Sequence, residues 1–155
     1  MKKFAAMLLV VCFVVVGLAA TTHARKRVKK CDFHQWPIRH CKKPATLVLD
    51  GINFRTGSAQ IDPRSYNLLD KSAWELRDHP ELNFTIVGHT DSVGGKASNQ
   101  VLSEKRAKAV KKYFIDYGIN PYRIKTMGMG ETQPIAAEGD GTKRYENRRI
   151  EIVFD

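Results

Sequence analysis

The sequence predicts a small α/β domain, built as an α+β sandwich in the order β-α-β-α-β-β, with a mixed four-stranded sheet and helices packed on one face. Three observations predict it. Strand-forming runs alternate with segments of helical periodicity from residue 46 to residue 155. Two Asx-Pro pairs mark helix starts, and the final run alternates between polar and apolar residues. The last two strands can pair antiparallel, and about 110 residues suffice for one independent core.

The first strand and the first helix are predicted from neighbouring segments. Residues 46–54 are rich in strand formers and lead into a turn. Asp62 can act as the N-cap of a helix with Pro63 at its first position, and a histidine-proline pair at 79–80 ends that helix. The apolar positions of this helix recur at helical spacing at Tyr66, Leu69, Ala73 and Leu76.

The second strand and the second helix flank the stretch that carries most of the candidate chemistry. Residues 82–88 have the composition of a strand. Ser98 or Asn99 can cap the helix that follows, and Gly118 suits the position just after its C-terminus. The apolar positions of this helix are Leu102, Val110, Phe114 and Tyr117.

Two further strands complete the predicted sheet. Asn120 and Pro121 begin a short helical turn that leads into the third strand at 124–128. The fourth strand, at 147–154, alternates along its length, so that only one of its sides faces the core. One side carries Arg149, Glu151 and Val153, and the other carries Ile150, Ile152 and Phe154.

The N-terminus is typical of a secretory leader. Lys2 and Lys3 precede an uncharged apolar run at 4–20, and the small residue Ala24 is compatible with cleavage after that position. We therefore predict a signal peptide at 1–24. An uncleaved membrane anchor is the alternative, because a run of about 17 residues is close to the lower limit for a membrane-spanning helix.

A basic N-terminal segment at 25–45 separates the leader from the predicted domain at 46–155. Residues 25–43 carry eight Lys or Arg against one acid, whereas residues 44–155 carry 16 basic and 15 acidic residues. Most of the net charge of +10 therefore belongs to this segment. Proteins that bind nucleic acids normally present a basic patch on the folded module, so we predict no nucleic-acid partner.

Two cysteines remain once the leader is removed, Cys31 and Cys41. An even number of cysteines in an oxidising compartment predicts a disulfide, and so short a loop gives it a stabilisation of roughly 2–3 kcal/mol at best. The alternative is a zinc site in which His34 and His40 supply the other ligands. Because adjacent ligands at 40 and 41 would strain a tetrahedral site, we favour the disulfide and predict no metal.

The stretch IVGHTDSVGG at 86–95 places polar residues at the mouth of a strand. Taken alone, Asp91 could cap the turn that follows, and His89 suits packing or loop hydrogen bonding better than proton transfer. An enzyme could use the two as metal ligands or as a base and its orienting residue. The sequence offers neither a His-Glu-x-x-His helix nor a serine in a nucleophile-elbow frame. The sequence therefore gives an enzyme no support beyond these two residues.

Five motifs follow one another between residues 53 and 152. They are NF with GSA at 53–59, GHTDSVG at 88–94, NQVLSEKRA at 99–107, GMGE with PI at 128–135, and NRRIEI at 147–152. In order and spacing they resemble the OmpA-like peptidoglycan-binding domain family, from about residue 46 to the C-terminus. One such motif alone is a weak signal, whereas five in register are specific. The N-terminal 45 residues lie outside the resemblance.

The resemblance implies a site for the diaminopimelate of the cell-wall stem peptide. In the family, the residues that match Asp91 and Arg106 hold the amino acid end of this ligand. An aspartate accepts hydrogen bonds from an ammonium, and an arginine fork binds a carboxylate through two parallel bonds. The implied ligand-binding residues are Asp91, Asn99, Arg106, Arg149 and Arg148, with Thr90, Gly57 and Asn147 in supporting positions.

The resemblance implies two further details of the site. Alternation along a strand directs Arg148 and Arg149 to opposite faces, so at most one points into the cleft, and the family pattern favours Arg149. Val93 departs from the polar residue often found two places after the motif's aspartate. We therefore expect one side-chain hydrogen bond to the ligand to be missing and the affinity to be lower.

The resemblance implies non-catalytic binding of peptidoglycan, with no catalytic residue and no cofactor, which anchors an envelope component to the cell wall. The location implied is the periplasm, in association with the cell wall and, as a further option, the outer membrane. The alternative is an adapter whose basic arm at 25–43 binds anionic lipid, lipopolysaccharide or an envelope protein of a motility or secretion complex. The two functions are compatible. The sequence leaves the oligomeric state open, a homo-oligomer included.

Overall fold

The computed structural model describes residues 30–31, 46–136 and 144–155. The predicted signal peptide at 1–24, Cys41 and most of the basic segment at 25–45 lie outside the described residues. The helices and strands are β1 (Lys30–Cys31), β2 (Thr46–Leu49), α1 (Tyr66–Asp78), β3 (Phe84–Gly88), α2 (Lys96–Asp116), β4 (Ile124–Gly128), α3 (Arg144–Asn147) and β5 (Ile150–Phe154). Short 3-10 helices, Pro63–Ser65 and Pro121–Arg123, precede α1 and β4.

The strands form one mixed sheet in the order β1-β2-β5-β3-β4. The four predicted strands are confirmed, and the two-residue strand β1 joins them at one edge, parallel to β2. The predicted antiparallel pairing of the last two strands is wrong. Strand β5 runs antiparallel between β2 and β3, whereas β4 pairs with β3 in parallel. Because α2 connects β3 to β4 as a crossover helix, these two strands pair in parallel. Strand β5 then pairs with the other edge of β3.

Several element boundaries differ from those predicted. The first strand ends at Leu49, and Phe54 instead forms an isolated bridge with Ile61. Helix α2 begins at Lys96 and not after Ser98 or Asn99, because Gly95 takes the N-cap position with an extended backbone and no side-chain bond. The last strand begins three residues later than predicted, since α3 occupies Arg144–Asn147.

Three of the predicted helix caps are confirmed, with Asp62 capping the 3-10 helix that precedes α1. The Asp62 carboxylate accepts a hydrogen bond from Arg64 N, and the Asn120 side chain accepts one from Tyr122 N. Gly118 follows α2 with a φ of 104°, in the left-handed region where glycine avoids the strain of a Cβ atom. The Asp62 and Asn120 side chains each give one unpaired backbone N–H group at the start of a 3-10 helix a hydrogen-bond partner.

One apolar core lies between the sheet and the helices. Phe84 is at its centre, with ring centroids 6.3 Å from Phe114 and 6.2 Å from Phe154. Burying each such ring stabilises the fold by about 1.5–3 kcal/mol. Both long helices contribute their inward faces to this core through the buried residues Leu69, Ala73, Leu76, Ala107, Val110 and Phe114. Among the described residues, none of the helices combines the length and apolar character required to cross a membrane.

Helix α2 packs closely against β3 and β4 through two paired glycines. Gly88 and Gly128 are opposite each other in the parallel ladder. A Cβ atom on Gly128 would lie 2.5 Å from Ser103 Oγ, and one on Gly88 would collide with the Ser103 carbonyl. The absence of side chains therefore lets the backbone of α2 touch the end of the sheet, directly beside the candidate site.

Candidate ligand-binding cleft

A cleft of about 520 Å³ opens beyond the C-terminal end of β3. Its charged lining consists of one carboxylate and three guanidinium groups, at Asp91, Arg106, Arg144 and Arg148. The loop after β2, the loop after β3, helix α2 and the segment before β5 each contribute to its walls. The cleft therefore gathers polar residues that are far apart in the chain.

Asp91 is held at the cleft by its backbone neighbours. His89 N donates to the Arg149 carbonyl at 3.0 Å, and Thr90 N donates to the Gly130 carbonyl at 2.9 Å. The Asp91 side chain is 13% exposed, and its Oδ2 accepts a hydrogen bond from Arg148 Nη1 at 2.8 Å. The carboxylate is thus fixed and already partnered by a cation.

Arg106 lies on α2 and is only 6% exposed. Its Nε donates to the Ser58 carbonyl at 3.1 Å, and its guanidinium lies over the Phe54 ring, 5.0 Å from the centroid. Among the described residues, no hydrogen bond engages its two terminal nitrogens. Burial lowers the pKa of Arg106, as does the positive charge of Arg148, while Asp91 opposes them. These contacts hold a planar donor at the cleft.

The structure separates the roles of the two adjacent arginines. Arg148 lines the cleft and is 45% exposed, whereas Arg149 is 5% exposed and lies outside it. Arg149 Nε donates to Glu151 Oε1 at 2.7 Å, and its Nη2 donates to the Gln133 carbonyl at 3.1 Å. The preference for Arg149 as the cleft-facing residue is therefore corrected in favour of Arg148. The two residues precede β5, so strand alternation does not govern their directions.

Asn99 lines the cleft but its amide group is engaged. Its Nδ2 donates to the Asp91 carbonyl at 3.3 Å and to Glu131 Oε2 at 2.6 Å. These bonds connect the first turn of α2 to the loop after β3 and to the segment after β4. Asn99 is thus placed to position the main chain of Asp91.

The supporting residues occupy different places. Thr90 lines the cleft and is buried, and its hydroxyl has no hydrogen-bond partner among the described residues. Gly57 lines the cleft with a φ of 64°. Asn147 is fully buried and does not line the cleft. Its side chain instead accepts hydrogen bonds from Ile135 N and Ala136 N, so it holds a neighbouring loop.

His89 belongs to a buried charged cluster under the cleft. The ring is 1% exposed and does not line the cleft, and its Nε2 lies 3.7 Å from Glu151 Oε2. Burial raises the pKa of Glu151, but the His89 ring and the Arg149 guanidinium outweigh it and lower that pKa to about 2. In the described part of the chain, no group of three or more His, Cys, Asp or Glu residues is arranged to hold a metal ion.

Several residues of the cleft region were absent from the predicted site, and those with charged groups or with contacts to the site residues are Phe54, Ser58, Glu131 and Arg144. Phe54, Ser58 and Glu131 stand within the quoted motifs, which is the signal that could have identified them. Arg144 has no such signal in the sequence. Its position in the cleft depends on the turn of α3 that brings it beside Arg148.

Comparison with known proteins identifies the family. The OmpA family model matches residues 53–148, which is more than half of the chain. This chain belongs to the OmpA family. The resemblance recognised from the five motifs is thereby confirmed, and the match covers every residue that lines the cleft except Ile52.

Curated relatives of this OmpA-family chain are longer proteins. The probable lipoprotein YiaD of Escherichia coli (strain K12) is 35% identical over 105 residues, which is 68% of this chain and 48% of that protein. The peptidoglycan-binding protein ArfA of Mycobacterium tuberculosis (strain ATCC 25618 / H37Rv) is 37% identical over 104 residues, which is 67% of this chain and 32% of that protein. The chain therefore spans about half, or less, of the length of these relatives.

The solved structures of two other proteins share the fold. The peptidoglycan-associated lipoprotein from Burkholderia pseudomallei matches with a TM-score of 0.63 and 28% identity, covering 67% of this chain and 88% of that one. The C-terminal domain of Helicobacter pylori MotB matches with a TM-score of 0.63 and 27% identity, covering 70% of this chain and 83% of that one. The predicted α+β fold with a mixed sheet is confirmed.

Proposed function

We propose that this OmpA-family chain binds peptidoglycan without catalysing a reaction, and that the diaminopimelate of the stem peptide occupies the cleft. The observation that carries the proposal is the presence of Asp91 and Arg106 in one cleft, held there by separate elements. Diaminopimelate ends in an ammonium and a carboxylate on one carbon. A carboxylate and a buried guanidinium are complementary to those two charges.

The charge-assisted contacts set the expected affinity. Each such hydrogen bond contributes about 1.5–3 kcal/mol, so two or three of them give modest binding. A polymer that repeats the ligand raises the apparent affinity when several protein molecules are tethered together. The name of the relative ArfA, a peptidoglycan-binding protein, and that of the peptidoglycan-associated lipoprotein support the same ligand class.

A sedimentation assay on purified diaminopimelate-type peptidoglycan tests the proposal. Wild type, Asp91→Ala and Arg106→Ala are compared at equal concentrations, with Asp116→Ala and Arg64→Ala as controls at exposed sites outside the cleft. We expect each cleft variant to bind roughly 10- to 100-fold more weakly and the controls to bind as wild type does. Unaltered sedimentation of the folded Asp91→Ala, Arg106→Ala double variant would contradict the cleft assignment.

The proposal that the chain is not an enzyme has its own readout. Soluble muropeptides incubated with the wild-type protein are separated by chromatography and compared with a sample without protein. We expect identical profiles. A new product that requires Asp91 or His89 would contradict non-catalytic binding.

We further propose that the chain acts in the periplasm, in association with the cell wall and, as a further option, the outer membrane. The predicted leader at 1–24 supports this location, and the disulfide predicted between Cys31 and Cys41 would be stable there. Fractionation with mass spectrometry of the N-terminus distinguishes cleavage after Ala24 from a retained anchor. Thiol titration of the purified protein checks the disulfide, and two free thiols would contradict it.

A second candidate function belongs to the basic segment at 25–43, as an arm that contacts anionic lipid, lipopolysaccharide or an envelope protein. One observation favours it. Residues 25–43 carry eight Lys or Arg against one acid, so most of the net positive charge of the chain lies in this segment. Deletion of residues 25–43 is expected to leave wall binding intact and to abolish binding to anionic vesicles.

A further inference from the structure

The Asp91 carboxylate is paired with a cation of the protein itself. Arg148 Nη1 donates to Asp91 Oδ2 at 2.8 Å, and this is the side-chain hydrogen bond that Arg148 forms within the described residues. The arginine side chain is 45% exposed and the aspartate side chain is 13% exposed. A partly exposed ion pair of this kind contributes only about 0–1 kcal/mol, so it can be exchanged for another pair.

Arg106 contrasts with this exchangeable arginine. It is buried, bonded through Nε to the Ser58 carbonyl and packed on the Phe54 ring. These contacts fix its position whichever ligand is present. The cleft therefore contains one arginine that is held in place and one that is held mainly by Asp91.

The charge of the cleft limits which ligands can displace Arg148. The charged side chains that line it are Asp91 and the arginines at 106, 144 and 148, so positive charge is in excess. A ligand with only an ammonium would release Arg148 from Asp91 and leave that guanidinium without a partner. A ligand with a carboxylate beside its ammonium supplies a new partner for the released guanidinium.

We propose that Arg148 is a specificity-determining residue, which exchanges Asp91 for the ligand carboxylate and so excludes ligands that carry an ammonium alone. The inference rests on the proposed function. It assigns a repulsive element to the site, in addition to the attractive pair of Asp91 and Arg106. Lysine is the informative competitor, because its side chain ends in the ammonium of diaminopimelate without the adjacent carboxylate.

The experiment titrates the full chain with two synthetic tripeptides that differ only at their third residue, diaminopimelate or lysine. Affinities are measured by calorimetry at low ionic strength for wild type, Arg148→Gln and Arg148→Lys. Arg64→Gln is the matched control, because it removes another arginine paired with an aspartate at 2.8 Å outside the cleft. Circular dichroism verifies that each variant is folded.

Wild type is expected to prefer the diaminopimelate peptide. In Arg148→Gln the affinity for the lysine peptide rises roughly two- to fivefold, while that for the diaminopimelate peptide does not rise, so selectivity falls. Arg148→Lys retains a cation and keeps the lysine peptide weak, and Arg64→Gln leaves both affinities unchanged.

Three outcomes overturn the inference in distinguishable ways. Lysine-peptide binding that stays as weak in Arg148→Gln as in wild type shows that the ion pair does not exclude the ammonium. An equal loss of affinity for both peptides makes Arg148 an ordinary contact, and the proposed function stands. Wild-type protein that binds neither peptide contradicts the proposed function itself, and this inference with it.

Discussion

The α-carbon of Gly88 in β3 faces the main-chain carbonyl of Ser103 in α2, with no space for a Cβ atom between them. Asp91 follows Gly88 by three residues, and Arg106 follows Ser103 by three residues. The contact therefore connects the two elements that carry the cleft's principal charges. Ser103 also connects α2 to the segment after β4, because its Oγ accepts a hydrogen bond from Gly130 N at 2.9 Å.

Replacing Gly88 with alanine tests this contact. The added methyl group collides with backbone, which cannot rotate away, so Gly88→Ala is expected to lower the free energy of unfolding by about 1–3 kcal/mol and to weaken ligand binding. Urea denaturation measures the first effect and peptide titration the second. Gly95→Ala is the control, because a Cβ atom there would lie 3.3 Å from the rotatable Ser98 side chain. Equal unfolding midpoints for the two variants would contradict the prediction.

The sequence predicts local features of this domain better than its long-range pairing. Asp62, Asn120 and Gly118 act where the sequence places them, because capping depends only on a few neighbouring residues. The position of β5 between β2 and β3 depends on contacts between segments far apart in the chain. Neither hydrophobic periodicity nor turn residues encode which strands become neighbours.

The candidate site likewise combines residues that the sequence identifies with residues whose roles only the structure assigns. The five motifs identify Asp91 and Arg106, and the structure brings both to one cleft. The assignment of Arg148 and Arg149 required the structure, since the turn of α3 precedes them and removes the strand alternation on which the prediction depended. Asn147 was predicted as a supporting residue, and the structure shows which backbone groups it contacts.

The partly buried carboxylate of Glu151, beside His89 and Arg149, predicts a pH dependence of stability. The pKa of Glu151 falls from its ordinary value of 4.5 to about 2 in the folded protein. A lowered pKa means that the carboxylate stabilises the fold above about pH 4.5, and that this contribution disappears as the pH falls towards 2. Glu151→Gln is therefore expected to be less stable than wild type by about 2–3 kcal/mol at pH 7.

Denaturation of both proteins at several pH values measures this effect. The difference in unfolding free energy is expected to be constant between about pH 5.5 and pH 7, because the carboxyl group is ionised in both the folded and the unfolded protein about one unit above its ordinary pKa of 4.5. Below that range, the difference in unfolding free energy between wild type and Glu151→Gln decreases as the pH falls and approaches zero near pH 2. A difference that does not change with pH would show that the glutamate acts through packing and not through its charge.

Asn147 predicts a destabilisation that depends on which half of its amide is lost. Its Oδ1 accepts from Ile135 N at 2.8 Å and from Ala136 N at 2.9 Å, and its Nδ2 donates to the Ala136 carbonyl at 3.1 Å. Asn147→Ala leaves these three groups without that partner and is expected to cost about 2–4 kcal/mol. Asn147→Asp retains both acceptor bonds but places a carboxylate oxygen against the Ala136 carbonyl at a fully buried site, so it is expected to cost at least as much.

Hydrogen exchange of the Ile135 and Ala136 amides reports this loss directly. Both amides are expected to exchange faster in Asn147→Ala and to remain protected in Asn147→Asp. Protection that survives in the alanine variant would mean that the loop is held by other contacts. Asn67, exposed on α1, supplies the control substitution Asn67→Ala, which should alter neither amide.

Arg123 predicts a loss of stability without a loss of binding, because it lies at the end of the sheet opposite the cleft. Its Nε donates to the Leu82 carbonyl at 2.8 Å, and its Nη2 donates to the carbonyls of Leu76 and His79 at 2.9 and 2.6 Å. One planar cation thus satisfies the C-terminus of α1 and the segment before β3.

Arg123→Met removes all three bonds and is expected to lower the free energy of unfolding by about 2–4 kcal/mol. Arg123→Lys keeps the charge but lacks the planar fork, so its stability is expected to lie between those of wild type and Arg123→Met. Urea denaturation ranks the three proteins. Under conditions in which all are folded, their affinities for peptidoglycan should be equal, since no contact of Arg123 reaches Asp91 or Arg106. Weaker binding by folded Arg123→Met would show instead that the two ends of the domain are coupled.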